Sequence, residues 1–92
     1  LIPTIILDEN VNSLKLRKRL KYLGFETDFL GNGVLDMDIK RYMERNINTV
    51  LITGDIELDL YFPNNRSFLV EHYQKPQVLA ILIQHYMWQF TQ

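Results

Sequence analysis

At 92 residues the chain has room for one domain and not two. Hydrophobic residues make up 47% of it, an ordinary globular share that excludes a disordered tail, and a net charge of −1 excludes a protein that grips nucleic acid over its whole surface. The absence of cysteine removes disulfides, thiolate metal sites and cysteine nucleophiles, and is compatible with the cytoplasm.

Thr4-Ile5-Ile6-Leu7 is a β-branched apolar run of strand length. Its continuous apolarity predicts a strand covered on both faces. Asp8-Glu9-Asn10 ends it and interrupts the apolar stretch before it could serve as a secretory signal. Ser13 is a candidate N-cap for the next helix, and Leu16, Leu20 and Leu23 repeat as one helical stripe. Gly24 suits the left-handed position just past that helix. Arg17, Lys18 and Lys21 are expected on its opposite, solvated side, and Leu14 falls off the stripe.

Phe25-Glu26-Thr27-Asp28-Phe29 alternates as a second strand with one wetter face. Gly31-Asn32-Gly33 is a turn, and Asp36 is a candidate cap for a second helix that buries Ile39, Tyr42 and Met43. Asp38 lies in its first turn, where the helix dipole favours a carboxylate. Thr49-Val50-Leu51-Ile52-Thr53 reads as another doubly covered strand, broken by Gly54. A short helical turn is expected from Asp55 to Tyr61, a loop at Pro63-Asn64-Asn65, and a fourth strand at Ser67-Phe68-Leu69-Val70. Pro76 fits the first turn of a last helix, apolar almost all round, that continues through Trp88 and Phe90. Its apolar stretch from Val78 to Ile83 is far short of the roughly 20 residues a membrane span needs.

Strands alternating with helices predict one α/β domain over residues 1–92, with a mainly parallel sheet of about four strands flanked by helices. In such a sheet ligands bind outside the carboxyl ends of the strands. Asp8 and Glu9 leave the first strand at that edge, Asp55 leaves the third, and Asp36 and Asp38 begin a helix there. Converged carboxylates repel and call for a hard cation with oxygen ligands, such as magnesium or manganese. Taken singly, each acid has an ordinary explanation as a solvated strand end, a cap or an answer to the dipole.

The five cations Lys15, Arg17, Lys18, Arg19 and Lys21 fall within seven positions. They form either a plain solvated helix face or a track for phosphates, with Lys15, Arg17, Lys18 and Lys21 as its nucleic-acid contacts. Gly31-Asn32-Gly33 is not followed by the lysine of a phosphate loop, no Gly-x-Ser-x-Gly elbow occurs, and His72 and His85 lack ligand spacing.

Ile6-Leu7-Asp8-Glu9-Asn10-Val11 resembles the opening of short PIN-like domains related to VapC-type toxin ribonucleases. Leu23-Gly24-Phe25-Glu26-Thr27 is similar to their passage from helix to second strand, Leu35-Asp36-Met37-Asp38-Ile39 to their next helix start, and Val50 to Glu57 to their strand ending in Thr-x-Asp-x-Asp. The resemblance covers roughly residues 5 to 60; Glu57 stands where aspartate is usual, and residues 70 to 92 match no part of the pattern. It implies a three-layer PIN-like fold. It further implies metal ligands at Asp8, Asp38 (or Asp36) and Asp55, a catalytic part for Asp8, Asp38, Asp55 and Glu57, and support from Glu9, Asn10, Asp36 and Thr53. The implied activity is magnesium- or manganese-dependent cleavage of RNA, with an antitoxin protein as a partner. Two other readings stand beside it: a receiver-like phosphoacceptor domain built on Asp8, Glu9 and Asp55, and a non-catalytic module that pairs as a homodimer through the C-terminal helix.

Overall fold

The two most apolar runs of the sequence pair side by side at the centre of the molecule. Thr4–Leu7 forms β1 and Thr49–Thr53 forms β3, in parallel register with Leu7 beside Ile52. The computed structural model describes residues 1–63, 65–71 and 73–92. The predicted loop position Asn64, and His72, lie outside the described residues.

Between and after these strands come α1 (Leu14–Tyr22), β2 (Thr27–Asp28), α2 (Asp36–Arg45), α3 (Ile56–Tyr61), β4 (Ser67–Leu69) and α4 (Pro76–Met87), which runs into a 3-10 turn at Trp88–Phe90. The sheet order is β2-β1-β3-β4 and every pairing is parallel. Side chains alternate across a strand, so each central strand divides its residues between two faces. Ile5, Leu7, Val50 and Ile52 pack with Leu16 and Leu20 of α1 and with Leu79, Ile83 and Met87 of α4. Ile6 and Leu51 pack with Ile39 and Met43 of α2 and Leu58 of α3. The result is a three-layer α/β/α fold, with α1 and α4 on one face and α2 and α3 on the other.

Local chemistry accounts for most boundaries. Ser13 Oγ accepts the Leu16 N–H at 3.0 Å and starts α1, while Gly24 at φ +95° ends it. Three expectations are corrected. The second strand is only Thr27–Asp28: the Phe25 N–H still donates to Leu20 O of the helix exit at 3.0 Å, and the Phe29 N–H turns to Asp28 Oδ1 at 2.9 Å. Asp36 does not cap α2; Leu35 holds the cap position with extended backbone and no side-chain bond, and Asp36 is the first helical residue. Tyr42 is half-buried rather than buried, with its hydroxyl 3.4 Å from Asp28 Oδ2.

Arg66, to which the sequence pattern gives no role, ties the amino-terminal edge of the sheet together. Its Nη2 donates to Met43 O at 2.8 Å and to Thr49 Oγ1 at 3.1 Å, and its Nε donates to Thr49 O at 3.1 Å. One guanidinium thus satisfies the end of α2 and the start of β3. Lysine cannot reproduce this fork. Arg66→Lys is expected to lower unfolding stability by roughly 1.5–3 kcal/mol, the range for bonds to a charged donor. Urea denaturation measures this, and an unchanged midpoint would count against it.

Candidate functional site

The chain moves one way from β1 through α1 to β2, then crosses back over β1 through α2 to reach β3. The crossover direction therefore reverses between β1 and β3. In an open parallel sheet this switch point leaves a crevice at the carboxyl ends of the two strands. Asp8 and Gly54-Asp55 emerge there from β1 and β3.

The register places Asp8 beside Thr53, and the Asp8 N–H donates to Ile52 O at 3.0 Å. Thr53 is fully buried, and its hydroxyl donates to Asp8 Oδ2 at 2.7 Å. Thr53 Oγ1 in turn accepts the Asp55 N–H at 3.0 Å. One buried hydroxyl therefore links both acids. Asp8 Oδ1 accepts the N–H of Glu9 at 2.9 Å. Asn10 Oδ1 reaches across to the Gly54 N–H at 3.2 Å. Glu9 Oε2 accepts the Gly33 N–H at 3.1 Å and fastens the loop ahead of α2 to the same edge. Asp8 and Asp55 are half-buried, whereas Glu9 and Asn10 are exposed.

Asp55 has a second task. It is the N-cap of α3, and its Oδ1 accepts from the N–H groups of Glu57 at 2.9 Å and Leu58 at 3.3 Å. Both of these bonds end on Oδ1. Asp36 and Asp38 stand exposed in the first turn of α2, and Glu57 stands exposed in the first turn of α3. Among the described residues no group of three or more His, Asp or Glu side chains is arranged to hold a metal ion. Hydrogen bonds link Asp8, Thr53 and Asp55 to one another, Asn10 to Gly54 and Glu9 to Gly33, whereas the carboxylates of Asp36, Asp38 and Glu57 take no part in these links. A small hollow of about 10 Å³ borders Asp8 and Glu9, and Thr53 and Asp55 do not line it.

The basic residues of α1 divide between two grooves. Arg17, Lys18 and Lys21 border a groove against β2 that also carries Glu26, Asp28 and Phe29. Lys15, Lys18 and Arg19 border a second groove against α4. Arg17 departs from the solvated side expected of it: it is half-buried, with its guanidinium carbon 6.0 Å from the centre of the Phe29 ring. Leu14, which the helical stripe left unexplained, lines the β2 groove.

The partners of the acidic loop, Gly33 and Gly54, carry no sequence mark of a site residue. Both contribute only a backbone N–H, and a turn glycine is their sole sequence signal. Compared with family models, with curated proteins and with solved structures, the chain finds no match in any of the three. No described helix is long and apolar enough to cross a membrane.

Proposed function

We propose that this chain is a divalent-metal-dependent ribonuclease of the PIN-like kind, cytoplasmic, with Asp8 and Asp55 as its principal acids. The observation that carries this reading is the Thr53 hydroxyl, which ties the Asp8 carboxylate to the Asp55 backbone at the switch point of the sheet. Buried hydrogen bonds that orient a carboxylate are the usual support of a ligating group.

The donor set suits a hard cation. Both oxygens of Asp8 accept one bond each, and a carboxylate has about four lone-pair positions. Asp55 offers Oδ2. Magnesium commonly takes one or two carboxylates and fills its other positions with water and substrate phosphate, so a third protein acid is not required. A bound magnesium or manganese would lower the pKa of a water and neutralise charge on a phosphoryl oxygen. Asp38 and Glu57 then serve as outer acids, reaching the substrate or its waters from the first turns of α2 and α3. Asp36 is the alternative to Asp38.

Under this reading RNA lies along Arg17, Lys18 and Lys21, with Lys15 further along the helix. An antitoxin protein is the corresponding inhibitor. A homodimer would form through the outer side of α4, where Val78 and Leu82 lie about one turn apart and exposed. The deciding experiment is cleavage of a labelled RNA with manganese, with magnesium and with excess chelator. The expected result is cleavage with either metal, none in chelator, and at least a roughly 100-fold loss in Asp8→Asn. Cleavage that persists in chelator or in Asp8→Asn would reject the reading.

A further inference from the structure

Helices α1 and α4 pack together on the face of the sheet away from α2 and α3, and the trough between them is the largest hollow described, about 690 Å³. Its walls carry Lys15, Lys18 and Arg19 from one side and Ile81 from the other, with Tyr22 beside them. A second hollow of about 510 Å³ shares Ile81 and Gln84 with it and is also bordered by His85 and Trp88. Ile81 is 64% exposed and Trp88 59% exposed, so both stand open to water beside an apolar floor of Leu23 and Ala80. Neither hollow is lined by an acid. Helix α1 contains no Asp or Glu beside its five cations, and α4 contains none either.

We propose that this trough docks an acidic amphipathic helix of a partner protein. The trough lies on the α1/α4 face and not at the acidic rim; it shares Lys15 and Lys18 with the RNA track proposed above, so its test rests on Ile81 and Arg19, which that track does not use. Three features select the occupant. A concave apolar trough between two helices accepts a third helix by its apolar stripe. Ile81 of α4 and Trp88, which opens the 3-10 turn after it, are both exposed and offer two apolar anchor points to the stripe of a docking helix. The cations along one wall answer acids flanking that stripe, and set both orientation and rate of encounter. A second copy is disfavoured, since a symmetric pairing would set the cations of α1 against their own equivalents. A phosphate backbone would satisfy the cations and leave the apolar floor without a partner.

Trp88 is the sole tryptophan, so its emission reports occupancy directly. The full chain is titrated with a synthetic helical peptide of leucine, glutamate and alanine whose leucines form one stripe. The expected result is a saturating blue shift of Trp88 emission. Ile81→Ser and Arg19→Glu should each weaken binding about tenfold. Both residues are exposed, so both variants should stay folded, with Arg19→Glu losing at most about 1 kcal/mol from placing an acid in the last turn of α1. A peptide with lysine in place of glutamate should leave the emission unchanged. The inference is overturned if the acidic peptide gives no shift, if the basic peptide binds equally, or if a uridine oligonucleotide or anionic phosphatidylserine vesicles give the same blue shift of Trp88 and Ile81→Ser abolishes it. It is equally overturned if emission shifts with protein concentration alone and Ile81→Ser stops it, which would assign the trough to a second copy.

Discussion

Asp55→Asn should leave the fold intact and reduce metal-dependent RNA cleavage at least about 100-fold, whereas Asp55→Ala should lose both cleavage and stability. The two variants separate the two tasks of this side chain. As a cap, Asp55 needs only an acceptor at Oδ1 for the Glu57 and Leu58 N–H groups. Asparagine keeps that acceptor, and aspartate and asparagine are about equal at helix N-caps. Its cost is limited to the lost attraction between a charge and the helix end, about 0.3–1 kcal/mol. Alanine leaves both donors without their partner and costs about 0.5–2 kcal/mol. As a metal ligand, Asp55 needs its charge, which neither variant has. Urea unfolding and a cleavage assay at a temperature where all three proteins are folded test the two halves separately. If Asp55→Asn cleaves like wild type and Asp55→Ala fails only in proportion to its unfolded fraction, Asp55 is a cap and nothing more.

The outcome for Asp55 also measures how far the sequence could be read. The centre of the fold was legible because hydrophobic burial writes itself as pattern. Thr4–Leu7 and Thr49–Thr53 are unbroken apolar or β-branched runs, and they became the two central strands. The Leu16 and Leu20 stripe of α1 packs on the sheet, with Leu23 half-buried against the same core. Gly24 occupies the left-handed backbone conformation that ends that helix. Elements at the periphery were less legible, because short-range bonds decide them. Phe25 alternates like a strand residue, but the helix exit holds its N–H and the core takes its ring. Asp36 is a good cap residue by type, yet Leu35 holds the position.

The candidate site divides in the same way. That acids follow the strands is visible in the sequence, and a parallel sheet is enough to send Asp8 and Asp55 to one edge. Which acids meet is a matter of register and loop path. Residues 45 positions apart meet when Thr53 bonds Asp8, and residues 24 apart meet when Glu9 bonds Gly33. Asp38 shares the edge by topology, but it stands on the exposed first turn of α2, where its carboxylate also answers the helix dipole. The cations of α1 were legible as a cluster and not as two separate groove walls, because only the packing of β2 and α4 on either side divides them.

Thr53→Val should be costly out of proportion to the single atom it changes. The side chain is fully buried, and its Oγ1 donates to Asp8 at 2.7 Å while accepting from the Asp55 N–H at 3.0 Å. Valine fills nearly the same space but offers neither bond. The Asp55 N–H is then left without its acceptor, a cost of about 1–3 kcal/mol. Asp8 loses the bond that fixes its carboxylate, and loss of such a supporting group typically lowers metal affinity or activity about 10–100-fold. Thr53→Ser separates these effects from packing. It restores the hydroxyl and removes only a buried methyl, so it should recover manganese affinity and cleavage while still costing about 0.8 kcal/mol in stability. Manganese titration, cleavage and urea unfolding of the two variants form one set. A valine variant that keeps wild-type affinity and cleavage would reduce Thr53 to a core residue whose hydroxyl merely satisfies a turn. A serine variant that recovers both would mean that this hydroxyl aligns the acid, with β1 and β3 holding the two residues in register so that it can.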